Sequence, residues 1–169
     1  MQQNQSKSIS AAFTGHRHVP CCDYPHIAEN LKSTIRDLYK HGGIRNFYCG
    51  MAVGFDMLAA ETVLGMKEHL PDMTLSAVVP YRKQSERFFP KAKARYEALL
   101  GKADDVVILK EEYHDRCFLD RNDYMIDRSQ LVIAYYDGVS RGGTSYTVKK
   151  AKACSLPVIN IYRSWHCLL

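Results

Sequence analysis

The sequence predicts a three-layer α/β domain, a mostly parallel sheet with helices on both faces. Three observations predict it. Apolar runs rich in β-branched residues alternate along the chain with segments of helical period. Two of these runs, Val106 to Leu109 and Leu131 to Ala134, are continuously apolar, as strands covered on both faces should be. A chain of 169 residues, 46% hydrophobic and 24% charged, has the size and balance of one globular domain with room for a core. We therefore expect a single domain over 1–169, with its core at about 9–162.

The elements follow in order. "ISAAFT" (Ile9 to Thr14) reads as the first strand. "IAENLKSTIRDLYKHGG" reads as a helix whose apolar face is Ile27, Leu31, Ile35 and Leu38, stopped by Gly42 and Gly43. "IRNFYC" is the second strand, and the glycine-bearing stretch "YCGMAVGFDMLAAE" carries it into a helix that runs through Met66, with Pro71 just beyond. "TLSAVVP" is the third strand. "ERFFPKAKARYEALLG" is a helix with Pro90 disturbing its first turns. "DDVVILK", the helix "LDRNDYMIDRS", "LVIAYY", the helix "TSYTVKKAKAC" and "PVINIY" complete six strands separated by about five helices.

Composition narrows the partners. No apolar run approaches the length of a membrane span, and "MQQNQSKSIS" lacks the apolar core of a secretory signal, so a cytoplasmic protein is expected. Cys21, Cys22, Cys49, Cys117, Cys154 and Cys167 show neither framework spacing nor a C-x-x-C pair, and are read as thiols. The formal net charge of +5 favours an anionic partner without naming one. "KAKARY" is a small basic cluster, read as a solvated helix face.

In parallel sheets of this kind ligands bind beyond the carboxyl ends of the strands, so the residues after each strand are the informative ones. After the first come Thr14, Gly15, His16 and Arg17; after the second, Gly50 to Asp56; after the fifth, Asp137 to Ser145. Glycine gathers there. It lets a backbone approach a ligand closely, and the helix that follows offers unpaired amides and the positive end of its dipole. Phosphate is the natural guest. No G-x-x-x-x-G-K-[ST] occurs and no G-x-G-x-x-G follows the first strand, which argues against a P-loop NTPase and a standard dinucleotide dehydrogenase.

Four segments in this order, "FTGHR", "CGMAVGFDMLAAE", "RNDYMIDRSQLVIAYYDG" and "GGTSYTVKKA", resemble the YpsA-like family of the SLOG superfamily, over about Ile9 to Tyr162. That superfamily includes the DNA-processing protein DprA, whose glycine loop resembles Gly50 to Asp56, and the LOG phosphoribohydrolases. The resemblance implies a Rossmann-like fold and a pocket for a nucleotide or nucleotide-derived ligand, with ADP-ribose and nucleoside phosphates as candidates. It also raises Arg121 and Asn122 as pocket residues.

At residue level, the turn Gly142-Gly143-Thr144 is expected to present its amides to a phosphate, with the Thr144 hydroxyl bonding it or capping the helix. Gly50, Met51 and Gly54 are expected to form the opposite wall. Asp56 suits ribose hydroxyls as an acceptor, or caps its helix. Arg17 pairs with phosphate; His16 donates to the ligand or bonds a carbonyl of its own loop. Tyr81 and Arg82 are a candidate flank for a base.

The function expected is binding of a phosphorylated small molecule, as a sensor or regulatory module. Hydrolysis of nucleoside monophosphates in the LOG manner is the alternative; the LOG loop P-G-G-x-G-T-x-x-E carries a glutamate, whereas Ser145, Tyr146, Thr147 and Val148 follow Thr144 here, leaving Glu61 as a substitute acid. DprA-like binding of single-stranded DNA has no basic-aromatic stripe behind it. A zinc-dependent hydrolase built on His16, His18, Cys21, Cys22 and His26 has no matching downstream motif, and no metal is expected. Homo-oligomerisation is left open.

Overall fold

A computed structural model describes residues 9–162. Its sheet has the strand order β4-β3-β2-β1-β5-β6, formed by β1 (Ser10–Gly15), β2 (Asn46–Cys49), β3 (Thr74–Val79), β4 (Asp105–Ile108), β5 (Leu131–Tyr135) and β6 (Val158–Asn160). All five pairings are parallel; Ala12 faces Tyr48 on one side and Val132 on the other. The helices are α1 (Tyr24–His41), α2 (Phe55–Met66), α3 (Pro90–Leu100), α4 (Cys117–Asp127) and α5 (Gly142–Ala153). The fold is Rossmann-like.

Side-chain alternation along the strands builds two cores. Ala11 and Phe13 of β1, Phe47 of β2, Leu75 of β3 and Ile133 of β5 point to one face, where they meet Ile27, Leu31 and Ile35 of α1, most of α2, and Leu99 of α3. Ala12, Val78 and Val132 point to the other, where Met125 of α4 and Ala151 of α5 cover them. Helix α2 is buried nearly all round: Phe55 to Ala60, Thr62, Val63 and Met66 are enclosed, because it lies between α1 and α3 over β1, β2 and β3. That explains its apolar composition.

Three expectations are corrected. Pro90 does not disturb a helix; it starts one, after a short 3-10 turn at Gln84–Arg87, with Phe89 extended at ψ 150°. Proline at the first helical position loses no hydrogen bond, since that amide has no partner within the helix. Val106 to Leu109 is not covered on both faces, for β4 is an edge strand and Val106 is 39% exposed. Helix α5 begins two residues before Thr144, so Gly142-Gly143-Thr144 is a first helical turn, not a separate loop. Gly43 does stop α1: at φ 67° it lets the Ile44 amide reach back to the Leu38 carbonyl at 3.1 Å.

The chain runs from β1 outward to β4, then returns across the sheet to place β5 on the other side of β1. The strand order therefore reverses between β1 and β5, and a crevice opens at their carboxyl ends.

Candidate functional site

A cavity of about 480 Å³ occupies that crevice. Its floor is the end of β1, Phe13 to Gly15, continuing into His16 and Arg17. One wall is the start of α5 with Arg141; another is α4 with the loop before it, through Asp115, Phe118, Arg121, Asn122 and Met125; Ala52 and Asp56 close the side toward α2.

Helix α5 enters this cavity uncapped. Arg141 is extended at its N-cap, no side chain of the described residues bonds the first amides, and Gly142 takes φ 80°. The first amides of an α-helix lack intrahelical partners and carry the positive end of its dipole. Thr144 is 8% exposed, lines the cavity, and does not cap the helix.

Arg121 is the central charge. It is 6% exposed; its Nη1 donates to the Gly50 carbonyl at 2.6 Å and its Nε to Asn122 Oδ1 at 3.0 Å. Both acceptors are neutral, and among the described residues the guanidinium charge draws its main carboxylate support from Asp56, at longer range. Asp56, also buried, accepts the Ala52 amide on Oδ2 at 3.2 Å. Burial raises its carboxyl above the ordinary value, outweighing Arg121, the Ala52 amide and Arg17, which pull it down. Burial likewise lowers the Arg121 guanidinium, against the pull of Asp56. Three arginines, Arg17, Arg121 and Arg141, face two aspartates, Asp56 and Asp115, around one space.

Backbone contacts lock the loops together. The Phe55 amide donates to the His16 carbonyl at 3.1 Å and the His16 amide to Tyr135 at 3.3 Å. His16 Nε2 lies 3.0 Å from both the Asp137 amide and Asp137 Oδ1. It accepts from the first when neutral or donates to the second when protonated, and either way it fastens the β1 loop to the β5 loop.

Residues 20–160 match the family YpsA, described as the YspA SLOG family. The chain belongs to this family. The UPF0398 protein of Bacillus cereus (strain ATCC 14579) is 32% identical over 102 residues, 59% of this chain and 55% of the relative, so the match spans little more than half of that protein. DNA processing protein A from Helicobacter pylori, described by its single-stranded DNA binding mode, aligns with TM-score 0.65 at 16% identity over 95% of this chain and 68% of that one. DNA processing protein A from Streptococcus pneumoniae aligns with TM-score 0.65 at 21% identity over 95% of this chain and 53% of that one. At such identities the likeness is one of fold.

In this YspA SLOG chain the cavity brings together Thr14, Gly15, His16, Arg17, Asp56, Arg121, Asn122, Gly142, Gly143 and Thr144. Gly50, Met51 and Gly54 do not line it. A Cβ on Gly50 would lie 2.6 Å from Arg121 Nη1, so this glycine makes room for the guanidinium. Met51 takes φ 57° and sends its side chain into the core, 0% exposed. Gly54 packs against the backbone of His16 and Arg17. That wall is supplied by Ala52 and Asp56 instead. Asp56 does not cap its own helix; it caps the loop amide of Ala52. His16 bonds across to Asp137, not to a carbonyl of its own loop.

Several other expectations also move. In the segment that carries Arg121, Arg128 is exposed, over the ring of Tyr124, and takes no part in the cavity. Glu61 pairs with Arg95 at 2.5 Å and is not in the cavity. Arg82 pairs with Glu111 at 2.6 Å. No three of the His, Cys, Asp and Glu side chains among the described residues are grouped to hold a metal, His16, His18, Cys21, Cys22 and His26 included. Five cysteines are free thiols, and Cys167 lies outside the described residues. No helix of the described residues is long and apolar enough to cross a membrane.

Asp115, Phe118 and Leu119 are cavity residues that reading the sequence missed. The strand-end rule, applied to the stretch after β4, reaches Asp115; helical spacing puts Phe118 one turn before Arg121 on the same face.

Proposed function

We propose that the cavity binds a nucleotide or nucleotide-derived phosphorylated ligand and that the protein acts as a sensor or regulatory module. One observation carries this reading: a buried guanidinium, Arg121, bonded among the described residues only to neutral acceptors, beside the uncapped start of α5. A buried charge without a hydrogen-bonded counter-charge is costly, and an anion at this place would supply one. The amides of Gly142, Gly143 and Thr144 would receive the phosphate oxygens, and Arg17 would close over them from the exposed side.

Calorimetry with nucleoside monophosphates, diphosphates and ADP-ribose tests the reading. Arg17→Ala should weaken binding by about 1.5–3 kcal/mol, the worth of a hydrogen bond to a charged group. Its thermal stability should be unchanged, because Arg17 is exposed. Equal affinity in the variant would reject the assignment.

Hydrolysis of an N-glycosidic bond is the second reading, and Asp115 favours it. The residues after Thr144 offer no acid, but Asp115 brings a carboxylate to the opposite wall. Release of free base from a nucleoside monophosphate, abolished in Asp115→Asn with binding retained, would establish an enzyme. Binding without turnover leaves the sensor.

A further inference from the structure

A second cavity, of about 460 Å³, adjoins the first and shares Arg17, Ala52 and Phe118 with it. Its chemistry is different. Tyr81, Phe88, Phe89, Tyr113 and Phe118 line it, and Tyr81, Tyr113 and Phe118 form a cluster with ring centroids 5.6, 6.1 and 6.4 Å apart. Two of its aromatic rings are unusually open to solvent, Phe89 at 85% and Tyr113 at 55% exposure. Rings of this size left in water beside a concave site mark a surface that is covered when a ligand arrives. On the ridge between the cavities the Arg17 guanidinium lies over the Phe118 ring, 5.1 Å from its centroid.

Gln84 couples the two spaces. Its Nε2 donates at 3.2 Å to the Gly50 carbonyl, the same oxygen that takes Arg121 Nη1. Because that oxygen can only accept, the amide orientation is fixed. Among the described residues Gln84 Oε1 is then a buried acceptor without a donor, on a residue that lines the aromatic cavity. A flat aromatic ring answers these walls.

We propose that the aromatic cavity is a base subsite, so that the ligand is a nucleoside phosphate lying across Arg17, with its phosphate at the start of α5 and its base among Tyr81, Tyr113 and Phe118. This rests on the reading of the first cavity as a nucleotide site and adds where, and by which residues, the base is held. The sequence offered a trace of it in Tyr81, whereas Arg82 is turned aside by Glu111.

The experiment is calorimetry of the full chain with AMP, GMP, CMP, UMP, ribose 5-phosphate and oligothymidylate, on the wild type and on Phe89→Ala/Tyr113→Ala. Both rings are exposed, so the double variant should fold. At least one monophosphate should bind about tenfold or more tightly than ribose 5-phosphate, the usual scale of base–aromatic stacking. That advantage should fall about tenfold in the double variant while ribose 5-phosphate is held equally. Ala92→Phe, which fills the same cavity from α3, should give the same selective loss. If ribose 5-phosphate binds as well as every nucleotide, the base subsite is overturned and the phosphate site stands. If no monomeric phosphate compound binds, both fall. Salt-sensitive binding of oligothymidylate without binding of monomers would overturn the base subsite in favour of a single-stranded nucleic acid surface.

Discussion

Gly54→Ala is expected to destabilise the domain by about 2–5 kcal/mol, a drop in Tm of roughly 5–15 °C for a chain of this length. Two costs combine. Gly54 sits at φ 86° and ψ −124°, a conformation that a side chain makes expensive. In addition, its Cβ would stand 2.7 Å from the His16 carbonyl oxygen and closer still to the carbonyl of Arg17. Neither neighbour is a flexible side-chain tip. To admit the methyl group, the loop after β1 must move away from α2, breaking the bond from the Phe55 amide to His16 and displacing Arg17 from the cavity rim. Gly142→Ala is the control. It has φ 80° too, but nothing lies within 4 Å of its Cβ, so only the backbone cost of about 1 kcal/mol applies. Thermal denaturation of both variants settles the matter, and equal losses would show that the close approach at Gly54 carries no weight.

This contrast also shows what the sequence could and could not reveal. The alternation of strands and helices was legible because period-2 and period-3.6 patterns follow directly from burial: Ala11 and Phe13 face one core while Ala12 faces the other. The place of the cavity was legible too, since glycine-bearing strand ends converge at the point where the strand order reverses. The job of each glycine was not. Gly50 and Gly54 look alike in the sequence to a phosphate loop, yet one clears space for a guanidinium 71 residues further on and the other lets two loops touch. Of the adjacent pair Gly142-Gly143, only the first takes a positive φ. A Cβ on Gly143 would meet the Asn122 side chain at 3.7 Å, an ordinary contact. Such roles depend on long-range contacts, which local patterns do not encode. β4 misled for a related reason, since its apolar run gives no sign of standing at the edge.

The strongest test of the electrostatic design is Arg121→Met. At about pH 3, below the ordinary carboxylate range, a carboxyl raised by burial is neutral, and the variant should lose only the hydrogen bonds to Gly50 and Asn122, about 1–2 kcal/mol. At about pH 8 the loss should reach about 3–5 kcal/mol, because a buried carboxylate is left without its positive neighbour. The sign follows from the direction of the Asp56 shift. Its carboxyl is raised in the fold, so the unfolded chain releases the proton first; the contribution of Asp56 favours the fold at low pH and is lost as pH rises through the folded value. Removing Arg121 removes one of the influences that lower that value, and the penalty at high pH deepens. In Arg121→Met/Asp56→Asn the pH-dependent part should disappear, because the amide still accepts the Ala52 amide and carries no charge. A loss independent of pH, or a double variant no better than the single one, would show that the two charges do not support each other. Asp56→Asn alone should be as stable as the wild type or more stable at neutral pH. If the cavity takes the phosphorylated ligand proposed above, Asp56→Asn should bind it at least as tightly, because a buried carboxylate lining that cavity is gone.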